Sequence, residues 1–243
     1  MKLIDPRVYV IEERIKDIKR IWAVSSGKGG VGKSTLSTFI SLLLNKRGYK
    51  AGLLDLDFYG PSSHLILGAN NIKPIENYGL RPADIEGIKF MSIIYFTENR
   101  PLAMRGKDIS NVLIELLTIT RWNNLDFLII DMPPGMGEIL LDIIRYISNL
   151  EFLIISNSST ISMETVEKLI KFLNSQDLPI LGIIENMKFV PSEYIKNKCY
   201  ELNIKYLGEI SFCPEIENYY GNIEKLLDLR ISKELNNILS FLV

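Results

Sequence analysis

Residues 27–34 read Gly-Lys-Gly-Gly-Val-Gly-Lys-Ser and fit G-x-x-x-x-G-K-[ST], the pattern of a phosphate-cradling loop. Such a loop works only between a buried strand and the first turn of a helix, so these eight residues constrain the fold as strongly as the function. Both flanks comply. Ile21-Trp22-Ala23-Val24-Ser25 is a short apolar run suited to a buried strand, and Thr35 to Arg47 has helical periodicity. Four glycines leave no Cβ in the way, so backbone N–H groups can turn inward onto phosphate oxygens. The start of the following helix adds the positive end of its dipole. Gly27, Lys28, Gly29, Gly30, Val31, Gly32, Lys33, Ser34 and Thr35 are therefore the expected triphosphate site. Lys33 is expected to reach the β- and γ-phosphates, and the Ser34 hydroxyl to bind Mg²⁺.

Lys28 carries further information. An ordinary loop of this kind tolerates any residue there, whereas here two lysines share one short loop around a polyanion. A second lysine so near the loop's start has two readings. It serves a nucleotide on a facing subunit, as a lysine equivalent of an arginine finger, or it is a solvated surface lysine.

At 243 residues the chain can build a large α/β unit with a well-buried core, and residues 1–243 are read as a single ATPase domain. The formal net charge of −1 supplies no global basic field that would draw it onto nucleic acid or anionic lipid. No apolar run approaches the ~18 residues of a membrane span. Residues 1–20 mix Glu12, Glu13 and Asp17 with Arg14, Lys16, Lys19 and Arg20, which suits an amphipathic lead-in helix and not the apolar centre of a signal peptide. A cytoplasmic protein is expected.

Apolar runs alternate with amphipathic stretches, the pattern of a mostly parallel twisted sheet with helices on both faces. Strands are expected at Ile21–Ser25, Ala51–Leu56, Ile88–Ile94, Phe127–Asp131, Phe152–Ser156, Ile180–Glu185 and Tyr206–Ile210. Helices are expected at Lys33–Arg47, Ile109–Thr120, Ile139–Ser148, Ser162–Ser175 and Ser192–Leu202, with Gly48 as a left-handed cap of the first. Gly68 to Gly87, rich in Asn, Pro and Gly, reads as a surface excursion. Residues 222–243 place Ile223, Leu226, Leu227, Ile231, Leu235, Ile238, Leu239 and Leu242 on one helical face. Their basic and acidic residues balance, so this helix should dock on the sheet and not on a membrane.

A phosphate loop needs a second acidic element beside Mg²⁺. Phe127-Leu128-Ile129-Ile130-Asp131 has the form of a Walker B strand. Ligands of open α/β sheets collect at the carboxyl ends of strands, so Asp131 and the loop should converge. Gly135, after Pro133-Pro134, is expected to offer an unobstructed amide to the γ-phosphate. Asp55 and Asp57 follow another apolar strand and alternate, so both are expected on one side of its end. One would hold a Mg²⁺-bound water while the other orients the attacking water. Asn186, at the end of Ile180-Leu181-Gly182-Ile183-Ile184-Glu185, either pairs with an adenine edge or forms a turn. His64, the sole histidine, is read as structural or solvated. Cys199 and Cys213 form neither a disulfide framework nor a C-x-x-C pair and are read as buried thiols.

These segments resemble the Mrp/ApbC family of deviant-Walker-A ATPases, relatives of MinD, ParA and the nitrogenase iron protein. The match rests on Ser25-Ser26-Gly27-Lys28-Gly29-Gly30-Val31-Gly32-Lys33-Ser34-Thr35, Asp55-Leu56-Asp57-Phe58-Tyr59-Gly60-Pro61-Ser62, Asp131-Met132-Pro133-Pro134-Gly135 and Gly182-Ile183-Ile184-Glu185-Asn186-Met187. The resemblance implies a homodimer that sandwiches ATP, with Lys28 acting across the interface. It further implies Asp57 as the residue positioning water, Asp55 and Asp131 around Mg²⁺ with Ser34, and Asn186 against adenine. Met104-Arg105-Gly106 looks like the family's Trp-Arg-Gly segment with the tryptophan replaced. Members that carry iron–sulfur clusters place a C-x-x-C shortly after Glu-Asn-Met. Here Val190 and Glu193 stand where those cysteines would be, so no cluster is expected in this chain itself. Three functions are in play. The leading one is an Mg²⁺-ATPase of the Mrp type, acting in iron–sulfur protein maturation through a client or scaffold protein. The others are a nucleotide-switched interaction protein of the MinD or ParA type and a metabolic P-loop kinase or ligase.

Overall fold

The computed structural model describes residues 5–97 and 106–243. Met104 and Arg105 lie outside the described residues. In chain order the elements are α1 (Arg7–Ile15), β1 (Ile18–Ser26), α2 (Lys33–Lys46), β2 (Ala51–Asp55), α3 (Ser63–Ile66), β3 (Ile75–Glu76), β4 (Leu80–Arg81) and β5 (Ala83–Ile85). They continue with β6 (Ile88–Ser92), α4 (Ile94–Thr97), α5 (Lys107–Ile119), β7 (Leu125–Asp131), α6 (Glu138–Tyr146), β8 (Leu150–Ser156) and α7 (Thr160–Ser175). The last are β9 (Ile180–Lys188), α8 (Tyr194–Glu201), β10 (Tyr206–Ser211), α9 (Ile223–Asp228) and α10 (Arg230–Leu239).

Eight strands form one sheet in the order β10-β9-β8-β1-β7-β2-β6-β5, parallel throughout except for β5, which runs antiparallel to β6. The central strands are apolar on consecutive residues because both faces are covered. Ile21 and Ala23 of β1 point into one core with α1, α5, α6, α7 and α8, while Trp22 and Val24 point into the other with α2, α3, α9 and α10. From β1 the chain proceeds through α2 toward β2 on one side, whereas β8 and β9 lie on the other. The crevice at such a switch point opens at the carboxyl end of β1, where the Gly-rich loop sits.

Sequence expectation and structure differ where local pattern is a weak guide. β1 starts at Ile18, so Arg20 is not part of the lead-in helix. Its guanidinium lies over the Trp22 ring and pairs with Glu151 of β8 at 2.7 Å, a cross-strand contact that periodicity does not reveal. β6 stops at Ser92, and the following residues turn into α4. The excursion between Gly68 and Gly87 contains the β3–β4 hairpin, turned at Tyr78 and Gly79 with positive φ. The C-terminal segment is two helices. Leu229 is extended between them, and the Ser232 hydroxyl donates to the Leu226 carbonyl across the break. Its apolar face is nonetheless buried as expected, through Ile223, Leu226, Ile231, Leu235, Ile238 and Leu239. Gly48 does close α2 with φ +88, and the Tyr49 amide donates back to Leu44, the bond of a Schellman cap. Among the described residues no helix is long and apolar enough to cross a membrane.

Candidate functional site

The loop between β1 and α2 lines a cavity of about 250 Å³ together with Asp57, Gly60, Ser62 and Pro134. Lys28, Gly29, Gly30, Val31, Gly32, Lys33, Ser34 and Thr35 all border it. Its glycines serve different ends. A Cβ on Gly27 would lie 2.2 Å from Thr165 Oγ1 and 2.7 Å from the Val166 amide nitrogen, so glycine lets the loop's start pack directly on α7. Gly30 and Gly32 both have φ +77, the left-handed conformation that alternates the direction of successive amides and forms an anion nest. Gly29 is exposed with open space around it apart from Pro134. Lys28 is half-buried at the cavity mouth and makes no ion pair among the described residues.

Beneath the loop lie the two carboxylates. The β2–β7 register pairs Asp55 with Asp131, which brings two acids from adjacent strand ends to one level inside the protein. Both are fully buried. Lys33 Nζ sits 2.5 Å from Asp131 Oδ1, and the Ser37 hydroxyl donates to the same oxygen at 3.0 Å. Asp131 Oδ2 is buried with no hydrogen-bond partner. Asp55 accepts from the Asp57 amide at 3.1 Å and the Ser63 amide at 3.3 Å. Burial, then the nearby Asp131, pushes the Asp55 carboxyl up to about 7. Ser34 Oγ stands 3.5 Å from Lys33 Nζ on the cavity wall. One ammonium, paired with Asp131, against two buried carboxylates leaves an excess of negative charge and an orphaned oxygen. That donor set fits a hard divalent cation held with Ser34.

Asp55 and Asp57 do not share one side. The strand ends at Asp55, and Asp57 lies in the following loop, where its Oδ1 accepts from the Tyr59 and Gly60 amides. It thereby borders the phosphate cavity while Asp55 stays below. Gly135 is a correction. Its amide donates to the Ser26 carbonyl at 2.9 Å, and Pro134, not Gly135, lines the cavity. A glycine with φ +82 behind two prolines folds the loop back onto β1 and directs that N–H away from the nest.

A second cavity, about 110 Å³, adjoins the first through Thr35 and is lined by Asn186, Met187, Phe212, Cys213, Tyr220 and neighbours. Asn186 lies there, 3 % exposed, but its Nδ2 donates to the Val31 carbonyl at 2.9 Å. Cys213 is half-buried on this wall, not buried, because it follows the end of the edge strand β10. Cys199 is buried on α8, and burial pushes its thiol up to about 11. His64 is half-buried on α3 and held by burial below its ordinary pKa. Val190 is exposed, and Glu193 pairs with Lys196 at 2.9 Å. Among the described residues no group of three or more His, Cys, Asp or Glu side chains is arranged to hold a metal.

Sequence reasoning missed Thr165, Ser37 and the Val31–Asn186 bond. Ser37 was within reach, since it lies one helical turn after Lys33 and therefore on the same face. Thr165 had no signal, because only the fold brings α7 to Gly27.

A family model described as a ParA-group "NUBPL iron-transfer P-loop NTPase" matches residues 17–242. The chain is 37% identical over 239 residues to an "Iron-sulfur cluster carrier protein" of Rickettsia prowazekii, covering 96% of this chain and 75% of that protein. A protein of the same description from Methanococcus maripaludis is 36% identical over 226 residues, covering 86% and 78%. Among solved structures, a nucleotide-binding protein from Archaeoglobus fulgidus in complex with ADP superposes with a TM-score of 0.78 at 28% identity, covering 93% and 96%. The cell division ATPase MinD of Pyrococcus furiosus gives 0.67 at 21% identity, covering 93% and 100%, a likeness of fold.

The buried pair yields a prediction about the ligand-free protein. Asp131→Ala strands the Lys33 ammonium away from water and should lower unfolding stability by about 3–5 kcal/mol. Guanidinium denaturation checks this, and an unchanged midpoint would mean that Lys33 has another partner.

Proposed function

This chain belongs to the NUBPL iron-transfer P-loop NTPase family of the ParA group, and on that premise we propose that it is a Mg²⁺-dependent ATPase of the Mrp type. In this reading it works in the cytoplasm as a homodimer with nucleotide between the copies, and serves iron–sulfur cluster assembly or transfer through a client or scaffold protein. The whole length acts as one unit, with α9 and α10 fixed on α2 and β10. The observation that carries the proposal is the nest itself: left-handed glycines above, a buried Lys33–Asp131 pair below, and Asp57 on the wall.

Phosphoryl transfer to water asks a protein for placement and charge neutralisation more than covalent chemistry. The nest amides and the α2 N-terminus hold the triphosphate, and Lys33 neutralises its β- and γ-oxygens. Ser34, Asp55 and Asp131 would hold Mg²⁺, which when bound neutralises charge between the phosphates. Asp57, kept in place by the Tyr59 and Gly60 amides, orients the attacking water and draws on its proton. Lys28, without an ion-pair partner among the described residues, reaches the nucleotide held by the other copy. The second cavity takes the base.

The two thiols do not fit a cluster shared at a surface. Cys199 is enclosed and Cys213 faces the base cavity, while positions 190 and 193 offer a valine and an ion-paired glutamate. A cluster is therefore cargo handled on another protein, with ATP turnover timing the encounter.

Three outcomes follow. Lys33→Ala should abolish Mg-ATP binding in calorimetry, whereas Asp57→Ala should bind normally and hydrolyse ATP about 10²-fold more slowly or worse. Equal loss of binding in both would remove Asp57 from its role. Lys28→Ala should weaken dimerisation in the presence of a non-hydrolysable analogue, and sedimentation that finds the dimer intact would refute the trans role. Anaerobic reconstitution with iron and sulfide should leave no stable visible chromophore. A chromophore lost in Cys199→Ser would overturn the cargo reading.

A further inference from the structure

The Asn186 amide donates into the phosphate loop, to the carbonyl of Val31 at 2.9 Å, although the residue sits at the far end of β9. We propose that Asn186 is a positioning residue for the phosphate nest: by holding the Val31 carbonyl it fixes the Val31–Gly32 peptide with the Gly32 N–H turned toward the triphosphate. The proposal rests on the nucleotide reading above and assigns the loop's geometry to a residue whose sequence context suggested a base contact or a turn.

The reasoning starts from the peptide plane. In a trans peptide the carbonyl and the following N–H point in opposite directions. A Val31 carbonyl drawn toward β9 therefore directs the Gly32 N–H the other way, and both residues border the nest cavity. Nothing in the loop's own sequence secures this. Gly32 has φ +77, and glycine populates either sign of φ about equally, so this peptide can turn over at little steric cost. Turned over, it would present a carbonyl oxygen to an anion. The Asn186 side chain removes that alternative. A carbonyl only accepts, so the amide group facing it is the NH₂.

The contact is closely built. A Cβ at position 32 would stand 2.3 Å from Asn186 Nδ2 and 3.1 Å from Met187 Cε, so no side chain fits between loop and strand. Met187 adopts φ +55, a conformation that methionine rarely takes, at the point where β9 presses on the loop. Behind them Glu185 is fully buried, accepts from Ser158 Oγ at 2.7 Å and Tyr206 Oη at 3.0 Å, and meets Lys188 at 3.3 Å. The strand end that carries Asn186 is thus anchored on its other side. A residue that only read a base would need none of this.

The test separates phosphate from base by using inorganic tripolyphosphate with Mg²⁺ beside ATP and GTP. Asn186→Ala removes the donor, and Asn186→Leu removes it while keeping the volume, which guards against local collapse. In calorimetry both variants should lose affinity for tripolyphosphate and for ATP by the same factor, about tenfold, the loss expected for one buried hydrogen bond. The ratio of ATP to GTP affinity should hold. At saturating tripolyphosphate the Gly32 amide resonance should move far in the parent protein and much less in the variants, a readout that a general loss of stability would not produce. Variants that bind tripolyphosphate like the parent but no longer distinguish ATP from GTP would overturn the inference and make Asn186 a base reader alone. A parent protein that binds neither tripolyphosphate nor ATP would instead bring down the nucleotide reading, and this inference with it.

Discussion

The site is organised around a charge imbalance that the fold forces into its interior. Parallel pairing of β2 with β7 puts Asp55 and Asp131 side by side at zero exposure, and Lys33, paired with Asp131, supplies one positive charge for the two. Burying ions is costly unless each is compensated, and here compensation is incomplete. Asp55 responds by holding its proton toward neutral pH, while Asp131 keeps an oxygen with no partner. Asp55 and Asp131, with Ser34, would hold a divalent cation, which would supply the missing positive charge. Two acids that share a single buried ammonium are thus the groups that would make Mg²⁺ binding favourable.

The fold was legible because a covered parallel sheet writes itself as consecutive apolar residues, and Phe127–Ile130 and Phe152–Ile155 could hardly be anything else. The P-loop position, Asp131 at its strand end and the Gly48 cap follow from local chemistry that needs no tertiary information. What failed was of another kind. Whether the Gly135 amide faces the nest or the Ser26 carbonyl depends on the direction of one peptide in a loop, and composition is silent on that. The apolar spacing from Ile223 to Leu242 is that of a continuous helix, yet Leu229 within it lies extended, since a break costs periodicity nothing when both halves bury the same face. Asp55 and Asp57 looked equivalent by alternation, but alternation ends where the strand ends.

Asn186 shows the same limit from the opposite side. Its type and place pointed to a base contact, and it does border the second cavity. The bond to Val31 spans a sequence separation of 155 residues and can be seen only in three dimensions. Residue type told which groups could bond. Topology decided which did.

The loop is held at its two ends and along its base: at Gly27 by α7, at Ser26 by the Gly135 amide, and at Val31 by Asn186. These contacts come from three separate elements, on both sides of β1. Between them Gly29 and Gly30 are exposed, and a side chain on Gly30 would meet nothing within 4 Å. The outer turn is tied down as well, since the Ser26 hydroxyl donates to the Lys28 carbonyl at 3.0 Å. A cradle fixed from below and across its turn is set before an anion arrives, so the cost of ordering the loop is met in folding and not in binding.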